Sequence, residues 1–150
     1  MNSASLDIVC SAEVNGAAAG DEIIFLSPDR ATLAKRRWRG VAQDGREFGF
    51  DLDHALSDGS VFFREPGKSY VISQSPEPVL EIELDQDPKP AAALAWQIGN
   101  LHFPIEVTDS VIRCSDDPAI RELLRREKIT SRASMAVFRP IASAGHAHHN

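Results

Sequence analysis

Histidine is the residue type in this chain whose placement suggests chemistry. There are five: His54, His102, His146, His148 and His149. The last three fall within a four-residue window at the C-terminal end. Neutral imidazole is a good ligand for nickel, copper and zinc. A close cluster on a small, polar segment can wrap an ion without a preformed cage, but it loses conformational entropy in doing so. An incidental histidine cluster is the rival reading, because such tracts suggest metal only by composition. His102 is different. It follows Gly99-Asn100 and precedes Phe103-Pro104, at the foreseen end of a helix. A lone histidine there reads first as a structural residue. It becomes a metal ligand if a two-fold axis sets a second copy opposite it, because such an axis duplicates every residue near it. His54, within Asp53-His54-Ala55, reads as surface.

Other chemistries are missing their parts. Gly16-Ala17-Ala18-Ala19-Gly20 lacks the Lys-Ser/Thr of a phosphate-binding loop, and no Gly-x-Ser-x-Gly or His-Glu-x-x-His occurs. The carboxylates are scattered, and no catalytic constellation is present, so the chain is not expected to be an enzyme. The two cysteines, Cys10 and Cys114, are far apart in sequence and read as reduced, mostly buried thiols. With 16 Lys and Arg against 22 Asp and Glu, the net charge is -6, the wrong sign for a phosphate-binding surface. No apolar run is long enough to span a bilayer. The start, Met1-Asn2-Ser3-Ala4-Ser5, has neither a basic region nor an apolar stretch. The expectation is a cytoplasmic protein without nucleic-acid or membrane partners.

Hydrophobic periodicity divides the chain in two. Residues 1–75 read as a small all-β unit. Leu6, Ile8 and Cys10 alternate with Asp7 and Val9, and residues 22–26 form a short apolar run. Residues 35–42 and 47–52 flank Asp44-Gly45, a type I′ hairpin signal, with Phe48, Phe50 and Leu52 on one face. Asp58-Gly59 precedes another strand at residues 61–63, and residues 70–72 add one more. Ser75-Pro76-Glu77-Pro78 is the expected linker.

Residues 76–140 have mixed periods. A strand over residues 79–84 leads to Asp87-Pro88, an N-cap with proline in the first turn. Ala91, Leu94, Ala95 and Ile98 then follow a helical stripe, which Gly99 is expected to end in the left-handed conformation. Strands over residues 103–107 and 111–114 follow. A second helix starts at Asp116-Asp117-Pro118, with Ile120, Leu123 and Leu124 inward and Arg125, Arg126 and Lys128 at its negative end. A strand over residues 134–138 closes the order β-α-β-β-α-β, the ferredoxin-like arrangement. The fold class is therefore α+β, with residues 141–150 as a histidine-containing tail. One function class compatible with this order is a metal-independent interaction module. RNA binding is another, but stacking aromatics are sparse, with only Phe103 and Phe138 available on the strands of this half.

These segments together resemble a known family. Asp44-Gly45-Arg46-Glu47 through Leu52, then Leu56-Ser57-Asp58-Gly59, resembles the N-terminal part of the urease accessory protein E (UreE) family of nickel metallochaperones. Gly99-Asn100-Leu101-His102 with Pro104, then Asp117-Pro118 and a leucine-rich helix, resembles its C-terminal part. The resemblance implies a β-rich, peptide-binding-like domain at 1–75 and a ferredoxin-like metal-binding and dimerisation domain at 76–140. It implies a homodimer in which His102 and its symmetry mate bind nickel, with His146, His148 and His149 adding ligands. It also implies delivery to the urease apoprotein complex with a partner GTPase. Zinc and copper suit the same ligands. Leu101 stands where the family is commonly basic, and the tail is short, which fits delivery of a few ions rather than storage.

Overall fold

In the computed structural model the described residues are 5–141. The chain is mixed α and β, mostly sheet with three helices among the described residues. It divides into two compact units, Met1–Ser75 and Pro76–Asn150.

The first unit contains β1 (Asp7–Val9), β2 (Glu22–Leu26), α1 (Arg30–Leu33), β3 (Arg37–Val41), β4 (Glu47–Asp51), β5 (Val61–Glu65) and β6 (Lys68–Ile72). They form two three-stranded sheets, β1-β4-β3 and β2-β6-β5. Each combines one parallel pair, β1 with β4 or β2 with β6, and one antiparallel pair. The core is aromatic: Phe48 meets Phe62 edge-on at 5.0 Å, and Trp38 stacks on Phe50 at 3.9 Å. Arg46 ties separate strands together, donating to Asp7 and to Glu65, each at 2.7 Å, with its guanidinium 4.4 Å from the Phe63 ring centroid.

Four features of this unit differ from the sequence reading or complete it. Only Gly45 of the Asp44-Gly45 pair has positive φ (88°), and Gly45 N–H donates to Ala42 O at 2.9 Å. The loop is thus the three-residue kind that ends on a left-handed glycine, not a type I′ turn. Asp44 prefers this form because its carboxylate accepts from Arg46 N–H (3.0 Å) and Tyr70 O–H (2.7 Å). One turn of helix, α1, interrupts the strands because Asp29 caps it, accepting from Thr32 N–H at 2.7 Å. On β1 it is Val9 that is buried, while Ile8 is exposed. Cys10 is exposed and Cys114 buried, so the expectation of two mostly buried thiols holds for one.

The second unit runs β7 (Glu77–Glu83), α2 (Pro88–Asn100), β8 (Ile105–Val107), β9 (Val111–Ser115), α3 (Pro118–Arg126) and β10 (Arg132–Ala136). Its strands make one antiparallel sheet in the order β10-β7-β9-β8. Both helices start on an aspartate cap followed by proline; Asp87 accepts from Lys89 N–H (3.1 Å) and Asp117 from Ala119 N–H (2.8 Å). Leu94, Ile98, Ile120, Leu123 and Leu124 of the helices pack with Leu80, Ile82 and Cys114 of the sheet. Each such side chain contributes about 1.5–3 kcal/mol by leaving water.

The two-residue strand period turns Glu81 to the opposite face. There Arg132, Glu81, Arg113 and Glu106 stand in direct register across four strands. Arg113 donates to Glu81 and Glu106, each at 3.0 Å, and Arg132 to Glu81 at 3.1 Å.

Candidate metal centre

His102 sits where α2 ends, and the local sequence explains why the chain stops there. The helix does not end on Gly99, which is not among the residues with positive φ. It continues to Asn100, is capped by Leu101, and turns on His102, whose φ is 63°. His102 N–H donates to Gly99 O at 2.9 Å and Phe103 N–H to Ile98 O at 3.3 Å. These two bonds define a Schellman turn with His102 at the left-handed position. Such a turn is held by an apolar contact between its two ends, and Phe103 packs against the buried group that contains Ile98. Pro104 then prevents further helix. The same use of Phe103 delays β8, which begins at Ile105 rather than at 103.

The backbone thus fixes where the imidazole emerges, and the residue is exposed. A non-glycine residue in this conformation costs roughly 1–2 kcal/mol. The C-terminal end of a helix is the negative end of its dipole and favours a cation. No basic residue occupies the last turn of α2 to supply one. A divalent ion on His102 would lie at that end.

No group of three or more His, Cys, Asp or Glu able to hold a metal occurs among the described residues. His54 is exposed, in the other unit. Cys114 is fully buried, its Sγ is 3.8 Å from Leu80 O, and burial pushes its thiol up to about 11. It stays protonated at neutral pH and is not a ligand there. His146, His148 and His149 lie outside the described residues.

One surface beside His102 was not singled out from the sequence. Trp96 is 70% exposed and Leu101 45%. Ala92, Ala93, Gly99 and Asn100 are exposed as well. Beyond Lys89 in its first turn, the outward side of α2 therefore carries an aromatic ring and small residues in place of charges. The signal was available: residues 90–105 contain no Asp, Glu, Lys or Arg. A solvated helix face is ordinarily charged.

Comparison with known proteins finds relatives along most of the chain. The family model described as UreE urease accessory protein, C-terminal domain, matches residues 77–150. The urease accessory protein UreE of Chelativorans sp. (strain BNC1) is 32% identical over 130 residues, covering 81% of this chain and 82% of that protein. That of Beijerinckia indica is 30% identical over 135 residues, covering 86% and 76%. That of Rhodopseudomonas palustris (strain BisB18) is 32% identical over 110 residues, covering 72% of this chain and 50% of the longer relative. On the match to its C-terminal domain and on relatives that align over most of both chains, the chain belongs to the urease accessory protein UreE family.

Proposed function

We propose that this chain is a nickel(II) carrier in urease maturation, acting as an accessory protein without turnover of its own. The carrying observation is His102, held by a Schellman turn at the exposed, negative end of a helix whose last turn supplies no cation. One imidazole holds nickel weakly. Two copies related by a two-fold axis bring two, and the uncharged surface of residues 90–105, with Trp96 and Leu101, is the one that would meet its mate. The names of the relatives support the urease pathway.

In this reading residues 76–140 are the ferredoxin-like metal-binding and dimerisation domain. The order β7-α2-β8-β9-α3-β10 and the strand order β10-β7-β9-β8 support it. Residues 1–75 are the β-rich, peptide-binding-like domain, and residues 141–150 are the tail. Nickel is cargo: it is held at the dimer axis by His102 of each copy, with His146, His148 and His149 as additional ligands. Few ligands fixed by folded structure leave the ion exchangeable, which suits transfer to the urease accessory GTPase and the urease apoprotein complex in the cytoplasm. Nitrogen ligands bind copper(II) and zinc comparably. Selectivity therefore rests on the receiving partner and on metal supply.

Light scattering combined with nickel titration tests this. The expected result is a dimer of twice 16.4 kDa in at least the nickel-loaded state, with proton release on binding and weaker binding at about pH 5 than at about pH 8, because imidazolium has no free lone pair. Deleting residues 145–150 should lower the number of ions bound and weaken the tightest site without removing it. A monomer under every metal condition, or a truncation that abolishes all binding, contradicts the interface site. A stable dimer that takes up no nickel points to the metal-independent interaction module instead.

A further inference from the structure

The first unit carries a feature that nickel binding does not use. The chain has a net charge of -6, yet Lys35, Arg36, Arg37 and Arg39 stand together, all exposed. They lead into and form β3, a terminal strand of the β1-β4-β3 sheet. Leu52 N–H donates to Arg36 O, and Ala42 N–H to Arg46 O, each at 2.9 Å. In an antiparallel ladder alternate residues turn their N–H and C=O groups to the same side. Arg36, Trp38, Gly40 and Ala42 therefore serve β4, while Arg37, Arg39 and Val41 turn theirs outward. Among the described residues no backbone hydrogen bond reaches those three from the open side, whereas the next outward residue, Gln43, donates to Phe25 O of β2 at 2.8 Å and marks where the open stretch ends.

Arg37 and Arg39 also border a groove that crosses one face of the sheet toward β1, away from the open edge. Register places Arg37 by Asp51, Arg39 by Gly49, and Gly49 by Ile8 on one face. A shallow cleft of about 530 Å³ runs between Leu6, Ile8, Arg37, Arg39, Gly49 and Asp51. Gly49 keeps its floor low, since a Cβ there would come within 2.9 Å of Ile8 Cδ1. Ile8 and Val41 are 60% and 58% exposed. Arg37 pairs with Asp51 at 2.8 Å, an exposed pair. Arg36 and Arg39 have no carboxylate within ion-pair distance among the described residues.

We propose that β3 binds an extended acidic segment of another protein as an added strand. Its carboxylates stand at alternate positions facing Arg37 and Arg39, and an apolar residue lies near Val41. Main-chain bonds to the outward groups supply affinity, and the alternate side chains supply selection. Charge complementarity fixes the occupant. A second copy of β3 on this edge would set arginine against arginine, which is unfavourable in cross-strand pairs. The same charges that block pairing between copies attract a segment of opposite sign.

The test uses the full chain and calorimetric titration with capped peptides of about eight residues, a common strand length. A peptide alternating Glu and Val should bind, and binding should weaken with salt; a Lys-Val peptide should not bind. Two N-methylated forms of the Glu-Val peptide separate main-chain pairing from charge. Methyl groups on one set of alternate amides block the pairing edge, and on the other set they leave it free. Only one form should lose affinity, by at least about tenfold. The Arg39→Glu variant should also bind at least about tenfold more weakly, with unchanged nickel uptake and circular dichroism. Equal binding of both methylated forms, no binding of the Glu-Val peptide, or tighter binding of a single-stranded oligothymidylate overturns the proposal.

Discussion

The two long helices of the second unit end by the same backbone device. In α2 the left-handed residue is His102, with φ of 63°; in α3 it is Lys128, with φ of 55°. Lys128 N–H donates to Arg125 O at 3.2 Å and Ile129 N–H to Leu124 O at 2.9 Å, the same pair of bonds that closes α2. Phe103 after α2 and Ile129 after α3 both pack against the same buried group. Neither turn uses glycine. The ends differ electrically. Arg125 and Arg126 lie in the last turn of α3 and Lys128 follows, so its negative end is compensated from within the chain. The last turn of α2 has no basic residue. One end is complete as it stands, and the other is open to a cation from outside.

The largest expected effect tests that contrast on the cargo. His102→Ala should weaken the tightest nickel site by at least about a hundredfold, because changes merely behind a ligand already cost 10–100-fold and this one removes a ligand from each copy. Lys128→Ala should leave nickel affinity unchanged. Nickel titration of both variants as folded dimers checks it. Equal losses in the two would mean that helix-end structure, not imidazole, governs binding.

A smaller effect concerns what each turn does for the sheet. The α3 turn delivers the chain to Arg132, which donates to Glu81. The Arg113 guanidinium, then Arg132, hold the Glu81 carboxyl below the usual carboxylate range against the opposing effect of burial. A carboxyl depressed on folding adds stability above its unfolded value, about 4.3 for glutamate. That contribution is lost as pH falls through the lower, folded value. The second unit should therefore lose stability in acid below about pH 4.3. Glu81→Gln should cost about 1–3 kcal/mol at neutral pH, as expected for losing a buried charged hydrogen-bond partner, and should flatten that part of the acid limb. Most of this comes from Arg113, because the side chain of Arg132 is 75% exposed. Urea unfolding across pH measures both.

The parts of the fold legible in the sequence were those set by local chemistry. Asp87-Pro88 and Asp117-Pro118 announced two helix starts, and both aspartates cap as expected. Strand faces on β4 and β7 followed a period of two. The two parallel pairings, β1 with β4 and β2 with β6, were not legible, because partners that far apart in sequence are selected by the assembled core. The alternation on β1 did not say which face is buried, for a related reason: the neighbour of Ile8 is Gly49, across the sheet. At the candidate site, the residue type and position of His102 were legible, but its conformation was not. Gly99 drew the helix end three residues early, whereas the apolar pair Ile98 and Phe103, followed by Pro104, sets it. The uncharged stretch over residues 90–105 was equally readable.

The smallest effect separates backbone strain from side-chain function at the two turns. Glycine takes a left-handed φ freely, so His102→Gly and Lys128→Gly each relieve roughly 1–2 kcal/mol of backbone strain. Glycine also loosens the unfolded chain, which takes back about 0.5–1 kcal/mol. At His102 the balance should be a net gain of about 0.5–1 kcal/mol for the metal-free protein. At Lys128 the substitution also removes a cation from the helix end, worth about 0.3–1 kcal/mol. That variant should therefore stay within about 0.5 kcal/mol of the parent. Adding nickel should reverse the ranking. The parent and Lys128→Gly gain stability by mass action, since nickel binds their folded dimers, and His102→Gly loses that gain together with its tight site. Urea unfolding at one fixed protein concentration, with and without nickel, measures the four differences. If His102→Gly is destabilised without metal, the imidazole contributes to folding itself, and the contrast between a completed and an open helix end fails.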